Sequence, residues 1–116
     1  MASDQDQRVG GKRARVELDV DLGTYGRYFL TKMANVSTGG AFILTESLHP
    51  VGTPLNIRFR LPDDDASIEA TAEVIWTYKQ PGGSSPNASG MGVRFMEIRP
   101  EDEERISDFV ARSTQP

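Results

Sequence analysis

From Val16 to Leu22 the chain alternates without a break. Val16, Leu18, Val20 and Leu22 are apolar, and Glu17, Asp19 and Asp21 between them are acidic. Side chains of an extended strand point to opposite faces in turn, so this spacing gives one face to a core and the other to water. On a helix the same residues would be scattered around the axis. The pattern recurs downstream. Leu55, Ile57, Phe59 and Leu61 alternate with Asn56, Arg58 and Arg60. Ile68, Ala70, Ala72, Val74, Trp76 and Tyr78 share one face of a longer strand, opposite Glu69, Thr71, Glu73 and Thr77. That spacing places Trp76 in the core. Tyr25 to Met33, Ala41 to Leu44, and Met91, Val93 and Phe95 complete the strand-like segments.

Turn chemistry separates these runs: Gly23 and Gly26, Asn35 to Gly40, His49 to Gly52, Pro62 to Asp65, and the Gly/Ser/Pro/Asn-rich stretch from Gln80 to Ser89. Many short strands with turns between them fit a sandwich or a barrel, and a barrel removes exposed edges by closing. The end of the chain differs. Pro100 suits the first turn of a helix, and Glu101, Asp102, Glu103 and Glu104 complement the positive end of its dipole. Ile106, Phe109 and Val110 then form one apolar stripe, and Arg112 stands near the far end. One short helix should lay this stripe on the β structure.

A chain of 116 residues fits one domain. Residues 1–14 read as a flexible arm with a basic segment, 15–112 as the folded domain with its helix, and 113–116 as a tail. There is no cysteine, which excludes disulfides and thiolate metal sites. No apolar run approaches the roughly 18 residues of a membrane span, and the start carries no apolar leader. The expected location is the cytoplasm, with no membrane insertion. The net charge of −4 argues against a general DNA or RNA binder. Its distribution is uneven, however. Arg8, Lys12, Arg13 and Arg15 place four positive charges in eight residues, leaving −8 on the rest (−4 minus +4). A basic segment on an acidic body is either a solvated tail or a local anion site.

Catalytic chemistry is hard to find. His49 is the single histidine and lies before a proline in a turn, where a surface position is expected. Asp63, Asp64 and Asp65 lack the Gly and Glu of a calcium loop and read as a solvated turn. No phosphate-binding loop or dinucleotide fingerprint is present. The sequence points to binding, with no enzyme activity, no metal and no cofactor.

Two segments remain. Lys12-Arg13-Ala14-Arg15 directly precedes the first strand, and Asn35-Val36-Ser37-Thr38-Gly39-Gly40 lies between later ones. Together they resemble the signatures of the PilZ family, an R-x-x-x-R motif followed by [D/N]-x-S-x-x-G. Asn35, Ser37 and Gly40 fill the second motif. Val51-Gly52-Thr53, the strand Leu55–Leu61, Val74-Ile75-Trp76 and Gly90-Met91-Gly92-Val93-Arg94-Phe95 resemble family positions in order. The resemblance runs from about Arg8 to Val110. The first motif departs from the pattern: with Arg15 as its second arginine, its first position is Gly11. Arg8 and Lys12 give the spacing as R-x-x-x-K, in a shifted register.

The resemblance implies an all-β fold, an antiparallel six-stranded β-barrel with a C-terminal α-helix. It implies a non-enzymatic bacterial receptor for cyclic di-GMP that signals in trans to a protein effector, in motility, type IV pili or surface behaviour. The implied ligand-binding residues are Arg8, Lys12, Arg13, Arg15, Asn35, Ser37, Gly39 and Gly40. Arginine can bind phosphate bidentately, stack on guanine and donate to its O6 and N7. Asn35 can accept from guanine N–H groups, Ser37 can donate, and Gly39 and Gly40 admit positive φ and close backbone approach. A lost charge-assisted hydrogen bond is worth ~1.5–3 kcal/mol, which is on the order of tenfold to a hundredfold in affinity. Two alternatives stay open. One is a degenerate PilZ-like adaptor that binds no nucleotide, for which Gly11 speaks. The other is a small barrel for single-stranded nucleic acid, against which the acidic strand faces and the lack of an exposed aromatic platform speak. Monomer and homodimer are equally compatible with the sequence.

Overall fold

The computed structural model describes residues 13–24, 27–62, 64–79 and 89–113. Six strands are followed by one helix: β1 (Ala14–Thr24), β2 (Arg27–Val36), β3 (Gly40–Leu44), β4 (Pro54–Phe59), β5 (Ile68–Tyr78), β6 (Gly90–Ile98) and α1 (Pro100–Ser113). All neighbours are antiparallel, and the order β1-β2-β3-β6-β5-β4 closes on itself through β1 and β4. The expected barrel and terminal helix are both present.

Alternation fills the barrel. Val20 and Leu22 of β1, Met33 and Val36 of β2, Ile43 of β3, Ile57 and Phe59 of β4, Ile68 and Val74 of β5, and Met91 and Val93 of β6 are buried together. The acidic residues between them face out and pair with cations on neighbouring strands. Lys32 reaches Asp19 at 2.6 Å, and Arg58 reaches Asp21 at 3.3 Å. Both pairs are exposed, so they set surface charge more than stability.

Helix α1 begins at Pro100 and carries its acidic first turn, as its sequence indicates. Ile106 and Val110 are buried in the core, with Phe109 partly covered beside them. Arg105 fastens the helix. It donates to Asp64 on the β4–β5 connection, to the Ala66 carbonyl at 2.7 Å, and to Asp102 at 2.6 Å. The Arg105 guanidinium first, and the Ala66 amide second, hold the Asp64 carboxyl below its usual range.

Three features differ from the sequence reading. β1 starts at Ala14, which is buried, so the folded part begins inside the segment read as an arm. Asn35 and Val36 belong to β2, which shortens the turn to Ser37-Thr38-Gly39. β5 carries an extra residue at Ile75, because Val74 pairs with Val93 and Trp76 with the adjacent Gly92. Such a bulge re-aims the side chains that follow it. Trp76 is therefore 48% exposed, which overturns the core position that spacing assigned to it. His49 also differs: it is half-buried, and its Nδ1 is enclosed with no hydrogen-bond partner among the described residues.

Candidate ligand-binding site

Ser37 organises the β2–β3 turn. It is fully buried. Its amide donates to the Gly40 carbonyl at 2.8 Å, and its Oγ accepts from the amides of Gly39 and Gly40, each at 3.2 Å. The turn is thus tied by one side chain, as short Ser turns commonly are. The Gly39 carbonyl accepts from the Phe95 amide at 2.9 Å, fixing the turn to β6.

Gly40 has a steric reason. A Cβ there would stand 2.1 Å from the Val93 carbonyl oxygen, far inside contact distance. Positive φ is not the reason: among the described glycines only Gly52 has it, at 96°. Close backbone approach is the part of the sequence argument that applies at Gly40.

Arg13 closes the site from the other side. Its Nε donates to Asn35 Oδ1 at 2.8 Å and its Nη1 to Ser37 Oγ at 3.3 Å. The basic segment and the turn motif, 22 residues apart at Arg13 and Asn35, are therefore in contact. Arg15 is exposed and stands directly opposite Asn35 across the β1–β2 ladder. The β1–β2 register shifts between Arg15 and Leu18, and a β2 bulge at Ala34 sets Asn35 against β3, because Met33 pairs with Ile43 and Asn35 with the adjacent Phe42.

The register extends this line across the outer surface. Asn35 pairs with Phe42, Phe42 with Gly92, and Gly92 with Trp76. Arg15, Asn35, Phe42, Gly92 and Trp76 thus form one row over five strands. Gly92 leaves room for its neighbour, since a Cβ there would meet the Trp76 indole nitrogen at 2.1 Å. The rings of Phe42 and Trp76 stack with centroids 5.1 Å apart and planes 18° apart. The row begins with a guanidinium, passes an amide and ends on an exposed indole. A guanidinium can bind a phosphate bidentately, and a flat ring can stack on another ring.

Of the expected ligand-binding residues, Arg13, Arg15, Asn35, Ser37, Gly39 and Gly40 converge on this face. Arg8 and Lys12 lie outside the described residues. Phe42, Gly92 and Trp76 were not among the expected site residues. Their sequence signal was the Gly-Met-Gly run, in which glycine at an outward strand position calls for a bulky neighbour above it. The exposed Trp76 also corrects the expectation that no aromatic platform is present. Arg94 faces out as alternation requires and reaches Glu73 at 3.1 Å.

Comparison with known proteins bears on this arrangement. The PilZ domain family model matches residues 6–112. The Bacillus subtilis inhibitor of motility MotI/DgrA has a similar structure, with TM-score 0.75 and 24% identity over 87% of this chain and 48% of that one. This chain thus spans about half of that protein's length. The PilZ domain of Escherichia coli YcgR, solved with c-di-GMP, has TM-score 0.66 and 14% identity over 87% of each chain. Borreliella burgdorferi PlzA, also solved with c-di-GMP, has TM-score 0.64 and 16% identity over 92% of this chain and 42% of that one. No curated protein matches the sequence.

Proposed function

Because the chain belongs to the PilZ domain family, we propose that it is a cyclic di-GMP receptor that passes its signal in trans to a protein effector in bacterial motility or surface behaviour. The observation that carries this reading is the contact of Arg13 with Asn35 and Ser37. It brings a basic segment and a polar turn to one outward face.

The division of labour follows from the hydrogen bonds. Ser37 Oγ already serves two backbone amides and Arg13, so its role is to shape the turn. Arg13 is partly engaged in holding Asn35, and it pre-orders the start of β1. Arg15 is the exposed cation of the row and takes the phosphate. Asn35 accepts from a guanine edge, and Trp76 offers its ring to a base. Pre-ordering of Arg13 reduces the ordering cost on binding. It offsets part of what Gly11 forfeits where the family carries an arginine. Ligand contacts made only in the bound state alter the surface offered to the effector.

Calorimetry with cyclic di-GMP tests this. The wild type binds, and Arg15→Ala weakens binding on the order of tenfold to a hundredfold. Trp76→Ala weakens it by about tenfold, the worth of one stacked base. A folded wild type that gives no heat at millimolar ligand rejects the receptor reading. That result would favour the nucleotide-free adaptor, for which Gly11 is the specific observation.

A further inference from the structure

At the end of β2 remote from the turn, the strand outruns its neighbour. β2 spans Arg27–Val36, but its ladder with β3 begins only at Lys32, opposite Leu44. Residues 27–31 pair with β1 on one side and, among the described residues, with no strand on the other. Alternate residues of such an edge direct N–H and C=O groups outward, a template for another strand. The large exposed apolar side chains concentrate here: Tyr28 at 60%, Phe29 at 40% and Leu30 at 73%. A groove of about 430 Å³ runs along the edge, lined by Leu30, Thr31, Lys32, Leu44, Thr45 and Glu46 among others.

We propose that this edge pairs with the same edge of a second copy, antiparallel and across a two-fold axis at Phe29. Three observations select a copy of this chain as the occupant. First, the register centred on the open stretch places Tyr28 opposite the partner's Leu30, and Leu30 opposite the partner's Tyr28. Tyr28 lies on the outer face, with its ring over Gly23 and beneath Arg58. Leu30 follows on the same face by alternation. Second, the two Phe29 rings meet on the opposite face, so one pairing covers Phe29 and Leu30 in both copies. Third, the charges match. The same register sets Arg27 opposite the partner's Thr31, and Thr31 lines the groove together with Glu46. Arg27 and Glu46 have no ion-pair partner among the described residues. Two-fold symmetry then yields two Arg27–Glu46 pairs, one at each end of a continuous β1-β2-β2-β1 sheet. The pairing is independent of the proposed nucleotide site, which lies toward the other end of β2.

Sedimentation equilibrium of the full chain from low micromolar to about 1 mM tests the pairing, because an interface of one strand pair is weak. The wild type self-associates to a dimer. Leu30→Lys raises the dissociation constant by about tenfold or more, while far-ultraviolet circular dichroism shows the fold unchanged. Arg27→Glu and Glu46→Arg each weaken the dimer, and the double charge reversal restores it. A wild type that stays monomeric at the highest concentration overturns the proposal and leaves the edge to a strand from another protein. A dimer indifferent to Leu30→Lys overturns it too. Dissociation by the single reversals without rescue by the double one rejects this register.

Discussion

The two ends of β2 obey opposite rules. At Asn35 to Gly40 the chain is tied down: Ser37 is buried and hydrogen-bonded, Gly40 lies against the β6 backbone, and Arg13 closes the outside. At residues 27–31 one side of the strand meets no other strand among the described residues, and three large apolar side chains are exposed. The same strand thus has a closed end, where we propose a small polar ligand, and an unsaturated end, where we propose a macromolecular partner. Polar groups in a closed turn gain strength from exclusion of water, and precision comes with it. An open edge gives up that precision for a surface that can be completed from outside.

Substitutions at the two ends should therefore differ in kind. The largest effect belongs to Gly40→Ala. Its Cβ would be 2.1 Å from the Val93 oxygen, and the backbone of β3 or β6 must move. We expect a loss of about 3 kcal/mol or more in urea denaturation. A loss below about 1 kcal/mol would mean that the turn is looser than described. Ser37→Ala comes next. It removes an acceptor from two amides and from Arg13, at a cost of about 1–3 kcal/mol. Leu30→Lys at the open end should move stability by no more than about 0.5 kcal/mol, because the side chain is already exposed. A large destabilisation there would show that the edge is part of the monomer's core and break the comparison.

The smallest effect is a control outside both ends. Asp64 has its carboxyl pKa lowered by Arg105 and then by the Ala66 amide. Its contribution is fully present above the unfolded carboxylate value, near ~3.9, and is lost as pH falls through the lower folded value. Relative to the wild type, Asp64→Asn should therefore flatten the acid limb of the stability profile and leave the dimer and ligand readouts unchanged.

The barrel was legible because alternation is a property of each strand by itself. Val20, Leu22, Ile57 and Val74 needed no neighbours to be assigned inward. Trp76 was misassigned because a bulge is a property of a pair: the extra residue at Ile75 exists only relative to Gly92 and Val93. The turn motif was legible as residues but not as physics. Gly40 looked like conformational freedom and is a steric contact, while Ser37 looked like a ligand donor and is the knot of the turn. Arg13 and Arg15 looked equivalent in the basic segment. The fold separates them, giving one to the protein's own acceptors and the other to solvent. The open edge at residues 27–31 was invisible, because strand character says nothing about where the neighbouring strand stops.

The row that ends on Trp76 has an optical consequence. The chain contains one tryptophan, and it stands half in water above Gly92 with Phe42 against its face. Light absorbed at the red edge of the protein spectrum, beyond the tyrosines, is re-emitted from this one corner. A base stacked on the indole would displace water from it and so change its emission. The unlabelled protein therefore carries its own lamp at the site, and titration by emission intensity and wavelength reads occupancy there. Tyr28, at the other end of β2, stays dark to the measurement.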